Sequence, residues 1–240
     1  MASYDTIATW YDESVRTGSL MHDVVMPVLF ELLGDCRGKH VCDLACGQGI
    51  VARELARRGA TVTGVDIADK LLEMARFEEV REPLGISYSH EDAQVLEGLQ
   101  DASFDAVVCN MALMDIPDIR ATFSSVQRIL EQDGIFVFSM THPCFLPPQS
   151  QFRIKDDGTI VREVNNYFIE EFWKSDNVNG VRGLVGSYHR TLSTYLNALM
   201  AAGLMIEYMV EPPATGRVAE RIPGYREVPV ALIVRCRKQA

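Results

Sequence analysis

Val41-Cys-Asp-Leu-Ala-Cys-Gly-Gln-Gly-Ile50 is an apolar run that ends in a glycine turn and opens a helical pattern, so it reads as strand, tight turn, helix. Gly47 and Gly49 carry no Cβ, which lets the backbone take left-handed angles and lets a ligand approach the free N–H groups at the start of the helix. Asp43 closes the strand and adds a fixed carboxylate to that corner. A ligand with a cationic amine suits the corner better than one with a pyrophosphate, because like charges repel. The alternative is a plain β–α connection with no ligand, since a short glycine motif means little alone.

The next strand sharpens the reading. Thr61-Val-Thr-Gly-Val-Asp66 is rich in β-branched residues and closes on an acid. The interval from Gly49 to Asp66 is about that at which a nucleotide-binding β–α–β unit places a ribose-binding carboxylate, so Asp66 is expected to grip two ribose hydroxyls. Asp69 is then the expected cap of the helix at 70–79. Strands are predicted near 40–44, 61–65, 86–89, 104–109 and 134–140, with helices near 49–58, 69–79 and 119–131. That alternation implies a doubly wound, mostly parallel sheet covered on both faces, with the ligand at the carboxyl ends of the strands. Asp92 follows the third strand, where its carboxylate can accept from an exocyclic amine and select adenine, while Ala93 leaves room for the ring. A loop turn is the other use for Asp92.

Asp43-Leu-Ala-Cys-Gly-Gln-Gly49, Val65-Asp66-Ile67-Ala, Glu91-Asp92-Ala93 and Asp105-Ala-Val-Val-Cys109 together resemble the motif series of class I S-adenosylmethionine-dependent methyltransferases of the small-molecule type. The similarity covers roughly residues 37–140. Ala45 departs from the glycine that the family most often has there. The resemblance implies a Rossmann-like sheet of seven strands and S-adenosyl-L-methionine as cofactor. It also implies that Asn110 and Met111, after the fourth strand, run beside the methionine moiety. Gly47-Gln-Gly-Ile-Val-Ala52 fits the dinucleotide pattern G-x-G-x-x-A as well, which keeps an NAD-dependent oxidoreductase as a rival; Asp43 and the pair Asp92-Ala93 argue against it.

The chain of 240 residues, 48% apolar and 23% charged, can bury one full core and is read as one domain over 1–240. Its formal charge of −10 disfavours a nucleic-acid partner, which needs clustered Lys and Arg. No long apolar span suggests a membrane, and no signal peptide precedes the six cysteines, so the reducing cytoplasm is the expected compartment. Cys42 and Cys46 lack a second pair at zinc-ligand spacing, so no metal is expected.

Around the cofactor core at 37–142, the N-terminal part (1–36) carries Tyr4, Trp10 and Tyr11 in a polar setting. The resemblance implies that such a segment folds over cofactor and substrate as a lid, with Tyr4 and Tyr11 as contacts; simple packing on the sheet is the alternative. Residues 20–33 have helical spacing with Pro27 marking a break, and His22 there reads as a surface or packing residue. Residues 143–190 carry aromatics without the β–α period and read as an insertion roofing the active site. Residues 191–240 then supply a helix ended by Gly203 and two closing strands, 205–210 and 228–236, as an antiparallel hairpin.

Three side chains are candidates for chemistry. His142 sits just beyond a strand's carboxyl end, facing the expected crevice, as a general base or a substrate-positioning group; His189 flanks the other end of the insertion. Asp115 either orients a substrate hydroxyl or amine or caps the next helix. The expectation is methyl transfer to an oxygen or nitrogen of a small, partly apolar acceptor by a monomer or homodimer, with a non-catalytic binder of the cofactor as a further alternative.

Overall fold

The computed structural model describes residues 3–15 and 19–239; residues 1, 2 and 16–18 of the expected lid lie outside the described residues. A short helix α1 (Ala8–Val15) is followed, after one wide turn at Met21–Val25, by α2 (Met26–Leu33). Pro27 stands in the first turn of α2, where a missing N–H costs nothing, so it starts that helix instead of breaking it. The alternating core then runs β1 (His40–Leu44), α3 (Ile50–Arg57), β2 (Thr61–Asp66), α4 (Asp69–Arg81), β3 (Ser87–His90), β4 (Phe104–Asn110), α5 (Ile119–Ile129) and β5 (Leu130–Thr141). The roofing segment contributes two antiparallel pairs, β6 (Gln151–Ile154) with β7 (Ile160–Glu163), and β8 (Phe172–Trp173) with β9 (Ser187–Tyr188), with a single turn α6 (Val181–Leu184) between the last two strands. The chain closes with α7 (Leu192–Ala201), β10 (Leu204–Val210), α8 (Gly216–Arg221) and β11 (Ala231–Lys238).

Seven strands form one sheet in the order β10-β11-β5-β4-β1-β2-β3. The pairs among β1 to β5 are parallel, and β11 runs antiparallel to both β5 and β10. Period-two alternation divides the side chains between two cores. Val107, Cys109, Phe136, Phe138, Leu232 and Val234 face α5 and α7, while Ala106, Val108, Ile135, Val137, Ala231 and Ile233 face α2 and α3. Phe123 of α5 packs between Phe136 and Phe138 with ring centroids 6.1 and 6.2 Å away. Burying each such ring contributes about 1.5–3 kcal/mol. Cys36, Cys42, Cys109 and Cys236 are buried among these apolar residues, all as free thiols.

Three expectations are corrected. Asp69 begins α4 but caps nothing; the α4 amide of Lys70 donates instead to Asp5 Oδ1 from the N-terminal segment, at 3.0 Å. The cap of α5 is Asp118, whose Oδ1 accepts from Arg120 N and Ala121 N, so Asp115 has no capping role. The helix expected to reach residue 131 stops at Ile129, because Leu130 already enters β5. The closing strands pair antiparallel as expected, with residues 211–230 and α8 between them. Among the described residues no helix is long and apolar enough to cross a membrane.

Candidate active site

The strand order reverses between β1 and β4, where a doubly wound sheet opens a crevice at the carboxyl ends of its strands. A cavity of about 390 Å³ lies there. Ala45, Gly47, Asp66, Ile67, Asp92, Ala93, Asn110, Met111 and Asp115 line it together with Tyr4 and Tyr11. Four strand ends and the N-terminal segment thus meet at one place.

The glycine turn owes its shape to left-handed backbone at Ala45 (φ 55°), Gly47 (φ 55°) and Gly49 (φ 83°). Ala45 accepts a conformation that favours glycine. Gly49 does not line the cavity itself; it is the N-cap of α3 and turns the chain into the helix. Gly47 N donates to Asp66 Oδ2 and Ala68 N to Asp66 Oδ1, both at 2.8 Å, so Asp66 ties the turn to the end of β2. Burial raises the Asp66 carboxyl, and these amides oppose the shift. Each oxygen keeps acceptor capacity for a hydroxyl on the cavity side.

Asp43 is 1% exposed and lines a small annex of about 40 Å³ that shares Tyr11, Ala45, Gly47 and Asn110 with the main cavity. Neither Asp43 Oδ2 nor Gln48 Nε2, both in that annex, has a hydrogen-bond partner among the described residues. Burial pushes the Asp43 carboxyl up to about 8, against the amide of Ala52 and with some help from Asp66. An unpaired buried carboxyl beside an unpaired amide fits a group that bears both ammonium and carboxylate. A raised folded-state pKa means that the native protein holds a proton which the unfolded chain releases near pH 3.9, so this group makes stability fall as pH rises toward about 8. A bound ammonium reverses the preference and expels the proton. Affinity for an amine-bearing ligand such as S-adenosylhomocysteine is therefore expected to rise by up to about tenfold per pH unit between about 6 and 7.5 and to level off above 8. Calorimetry should show proton release in wild type and a flat profile in Asp43→Asn; matching profiles would remove Asp43 from the site.

At the other side, Gln94 folds back on Asp92, its Nε2 at 3.0 Å from both carboxylate oxygens and its backbone N at 2.9 Å from Oδ1. Asn110 Oδ1 accepts from Ser139 Oγ at 2.6 Å, and Met111 N donates to the same hydroxyl at 3.0 Å, which fixes the loop after β4. Asp115 follows in a single 3-10 turn. Tyr4 Oη donates to Asp115 Oδ2 at 2.9 Å, and Arg182, from the roof, pairs with Oδ1 and also donates to Gly186 O. Burial raises the Asp115 carboxyl, and the Arg182 charge and the Tyr4 hydroxyl pull it back. The N-terminal segment and the roof therefore converge on one carboxylate in the cavity wall. Tyr11 meets Tyr4 edge to face, with centroids 5.1 Å apart.

The two histidines are placed elsewhere, which corrects the expectation that His142 faces the crevice. His142 is 2% exposed and absent from the lining; its Nε2 lies 2.5 Å from Glu211 Oε1 and its Nδ1 accepts from Cys144 N. His189 is buried with Nε2 at 2.8 Å from Tyr167 O and does not line the cavity either. His22 is exposed beside Asp23, as a surface residue would be. The sequence reading missed Ile116, Pro117, Phe172, Val185 and Tyr188, apolar and aromatic residues that line the same cavity as Asp115, and missed Arg182 as well. Their only sequence signal was the aromatic content of the roofing segment.

A family model for a methyltransferase domain matches residues 42–138. The ubiquinone biosynthesis O-methyltransferase of Alkalilimnicola ehrlichii is 29% identical over 143 residues, 58% of each chain. That of Actinobacillus pleuropneumoniae is 32% identical over 138 residues, 55% of this chain and 59% of its own. The chain thus matches less than two thirds of the length of these curated relatives. A crystal structure of an S-adenosylmethionine-dependent methyltransferase from Mesorhizobium loti superposes with a TM-score of 0.77 at 31% identity, covering 88% of this chain and 96% of that one. The acid-lined cavity at the switch point, the glycine turn and this full-length match place the chain in the family of S-adenosylmethionine-dependent methyltransferases.

Proposed function

We propose that the protein methylates a hydroxyl oxygen of a small, partly apolar molecule, with Asp115 taking the proton. One observation carries this reading: within a single cavity, the nucleotide-type acids Asp66 and Asp92 share the lining with a further carboxylate, Asp115, and with apolar and aromatic side chains. When bound, S-adenosylmethionine supplies a methyl group on a positively charged sulfur. Asp66 would hold the ribose hydroxyls, Asp92 and Ala93 the adenine, Asn110 and Met111 the methionine chain, and Asp43 its ammonium. Ile116, Pro117, Phe172, Val185 and Tyr188 shed water and orient the acceptor, which is most of what an in-line displacement requires of a protein.

An acceptor hydroxyl must also lose a proton, and Asp115 is a buried carboxylate on the cavity surface whose proton affinity burial has raised. Tyr4 Oη already occupies one of its oxygens as a hydroxyl donor, the same kind of contact that an acceptor hydroxyl would make. The relatives named as ubiquinone biosynthesis O-methyltransferases favour oxygen over nitrogen. The formal charge of −10 leaves nucleic acid a poor partner, and the reading includes a cytoplasmic monomer or homodimer in which residues 1–36 and 143–190 cover one catalytic unit.

Incubation with S-adenosylmethionine tritiated at the methyl group and a set of phenols and catechols is expected to yield labelled ethers. Transfer confined to amines would overturn the oxygen assignment. Absence of transfer to any acceptor by a protein that binds S-adenosylhomocysteine would overturn the catalytic reading.

A further inference from the structure

Gly64 is an unusual residue for the middle of a buried strand, where a missing side chain leaves nothing to pack. Its neighbour across the parallel pair of β2 and β3 is Tyr88. A Cβ placed on Gly64 would lie 2.7 Å from Tyr88 Cδ1 and 2.8 Å from Cε1, inside the ring's own volume. The same ring continues past β2 to the turn after β1. There a Cβ on Gly49 would overlap Tyr88 Oη and lie 3.0 Å from Cζ. One phenol therefore fills the space left by two glycines on different elements. Its hydroxyl is buried without a hydrogen-bond partner among the described residues, while the rest of the ring packs against the core that includes Val51, Ala52 and Val62.

We propose that Tyr88 is a positioning residue for the cofactor: by shape, and not through a hydrogen bond of its hydroxyl, it sets the conformation of the Gly47–Gly49 turn. The ring lies on the sheet side of the turn, and Tyr88 is not among the residues lining the cavity or its annex. It acts by occupying the volume beside Gly49. Left-handed backbone at Gly49 directs the first amides of α3, and a turn free to sink toward β2 would move them and Gly47 N, which holds Asp66. Gly64 is the other half of the device. It lets the ring lie flat over β2 and reach that far. With no hydrogen-bond partner among the described residues, the hydroxyl adds volume beside Gly49 and no polar contact.

The inference rests on the assignment of the cavity to S-adenosylmethionine, and wild-type binding of S-adenosylhomocysteine tests that assignment separately. Calorimetric titration with S-adenosylhomocysteine, well below each variant's melting temperature, compares Tyr88→Phe, Tyr88→Leu, Gly64→Ala and the double variant Gly64→Ala/Tyr88→Leu. Tyr88→Phe is expected to bind within about twofold of wild type, since volume-conserving changes are tolerated best. Gly64→Ala should weaken binding about tenfold or more by driving the ring onto Gly49, the scale on which overpacking acts, and Tyr88→Leu should weaken it as well. The double variant should bind more tightly than Gly64→Ala alone, a coupling that independent sites would not show. A purely structural role would lower melting temperatures and leave affinity unchanged in the folded variants. That result for Tyr88→Leu overturns the proposal even if Gly64→Ala fails to fold. A loss in Tyr88→Phe equal to that in Tyr88→Leu also overturns it, by giving the role to the hydroxyl.

Discussion

Asp115→Asn is expected to lower the rate of methyl transfer to a hydroxyl acceptor by about 10²–10⁴-fold, the usual contribution of a positioned general base. Asparagine keeps the shape and can still accept from Tyr4 Oη, but it cannot take a proton. Because the folded-state carboxyl is raised by burial, the wild-type rate should climb with pH through the Asp115 ionisation and then level off, and the variant should lack that limb. The substitution also leaves the Arg182 guanidinium without its counter-charge in a nearly closed place, which by itself costs a few kcal/mol of stability. Rates should therefore be expressed per S-adenosylhomocysteine-binding site. A folded variant with wild-type turnover across pH would remove Asp115 from the chemistry.

Asp66→Ala should weaken S-adenosylhomocysteine binding by about 1–3 kcal/mol, since each lost charge-assisted contact to a hydroxyl is worth about that much. The deletion strikes twice. The ribose loses its acceptors, and Gly47 N and Ala68 N lose the two oxygens that hold the turn to the end of β2. Asp66→Asn separates these losses, because its carbonyl oxygen can keep one amide bond while the charge is gone. Calorimetry showing unchanged affinity in folded Asp66→Ala would withdraw the ribose assignment.

The β–α core could be read from the sequence because its determinants are local. β-branched and apolar runs end on acids, and the sheet places every one of those ends at a single crevice. Asp43, Asp66 and Asp92, which line the cavity or its annex, were placed this way, and so was the doubly wound sheet, whereas Asn110 came from the family resemblance. The dinucleotide-like pattern at Gly47 to Ala52 misled only if read without Asp43. His142 was misjudged because proximity in sequence gave it a place at the strand end, whereas its ring direction depends on Glu211, far along the chain and beyond β10. Arg182 was invisible for the same reason: its partner Asp115 stands far away in the sequence, and no spacing rule joins a roof residue to a strand-end loop. Asp5 shows the effect for a helix cap. The expected cap was the nearest acid, Asp69, but the acid that bonds the first turn of α4 comes from the N-terminal segment.

The cysteines of the sheet provide a reporter that needs no label. Cys42, Cys109 and Cys236 have no exposed surface and Cys36 has 2%, and burial pushes each of these thiols above its ordinary value. A thiol-specific reagent can reach such sulfurs only when the strands part, and only a thiolate reacts. Cys42 and Cys109 sit on adjacent strands on either side of the switch point, each one residue before a group that lines the annex or the crevice, Asp43 and Asn110 respectively. Their rate of modification therefore reads out the opening of the very strands that carry Asp43 and Asn110, and slowing of that rate by a ligand measures how firmly the ligand clamps them together.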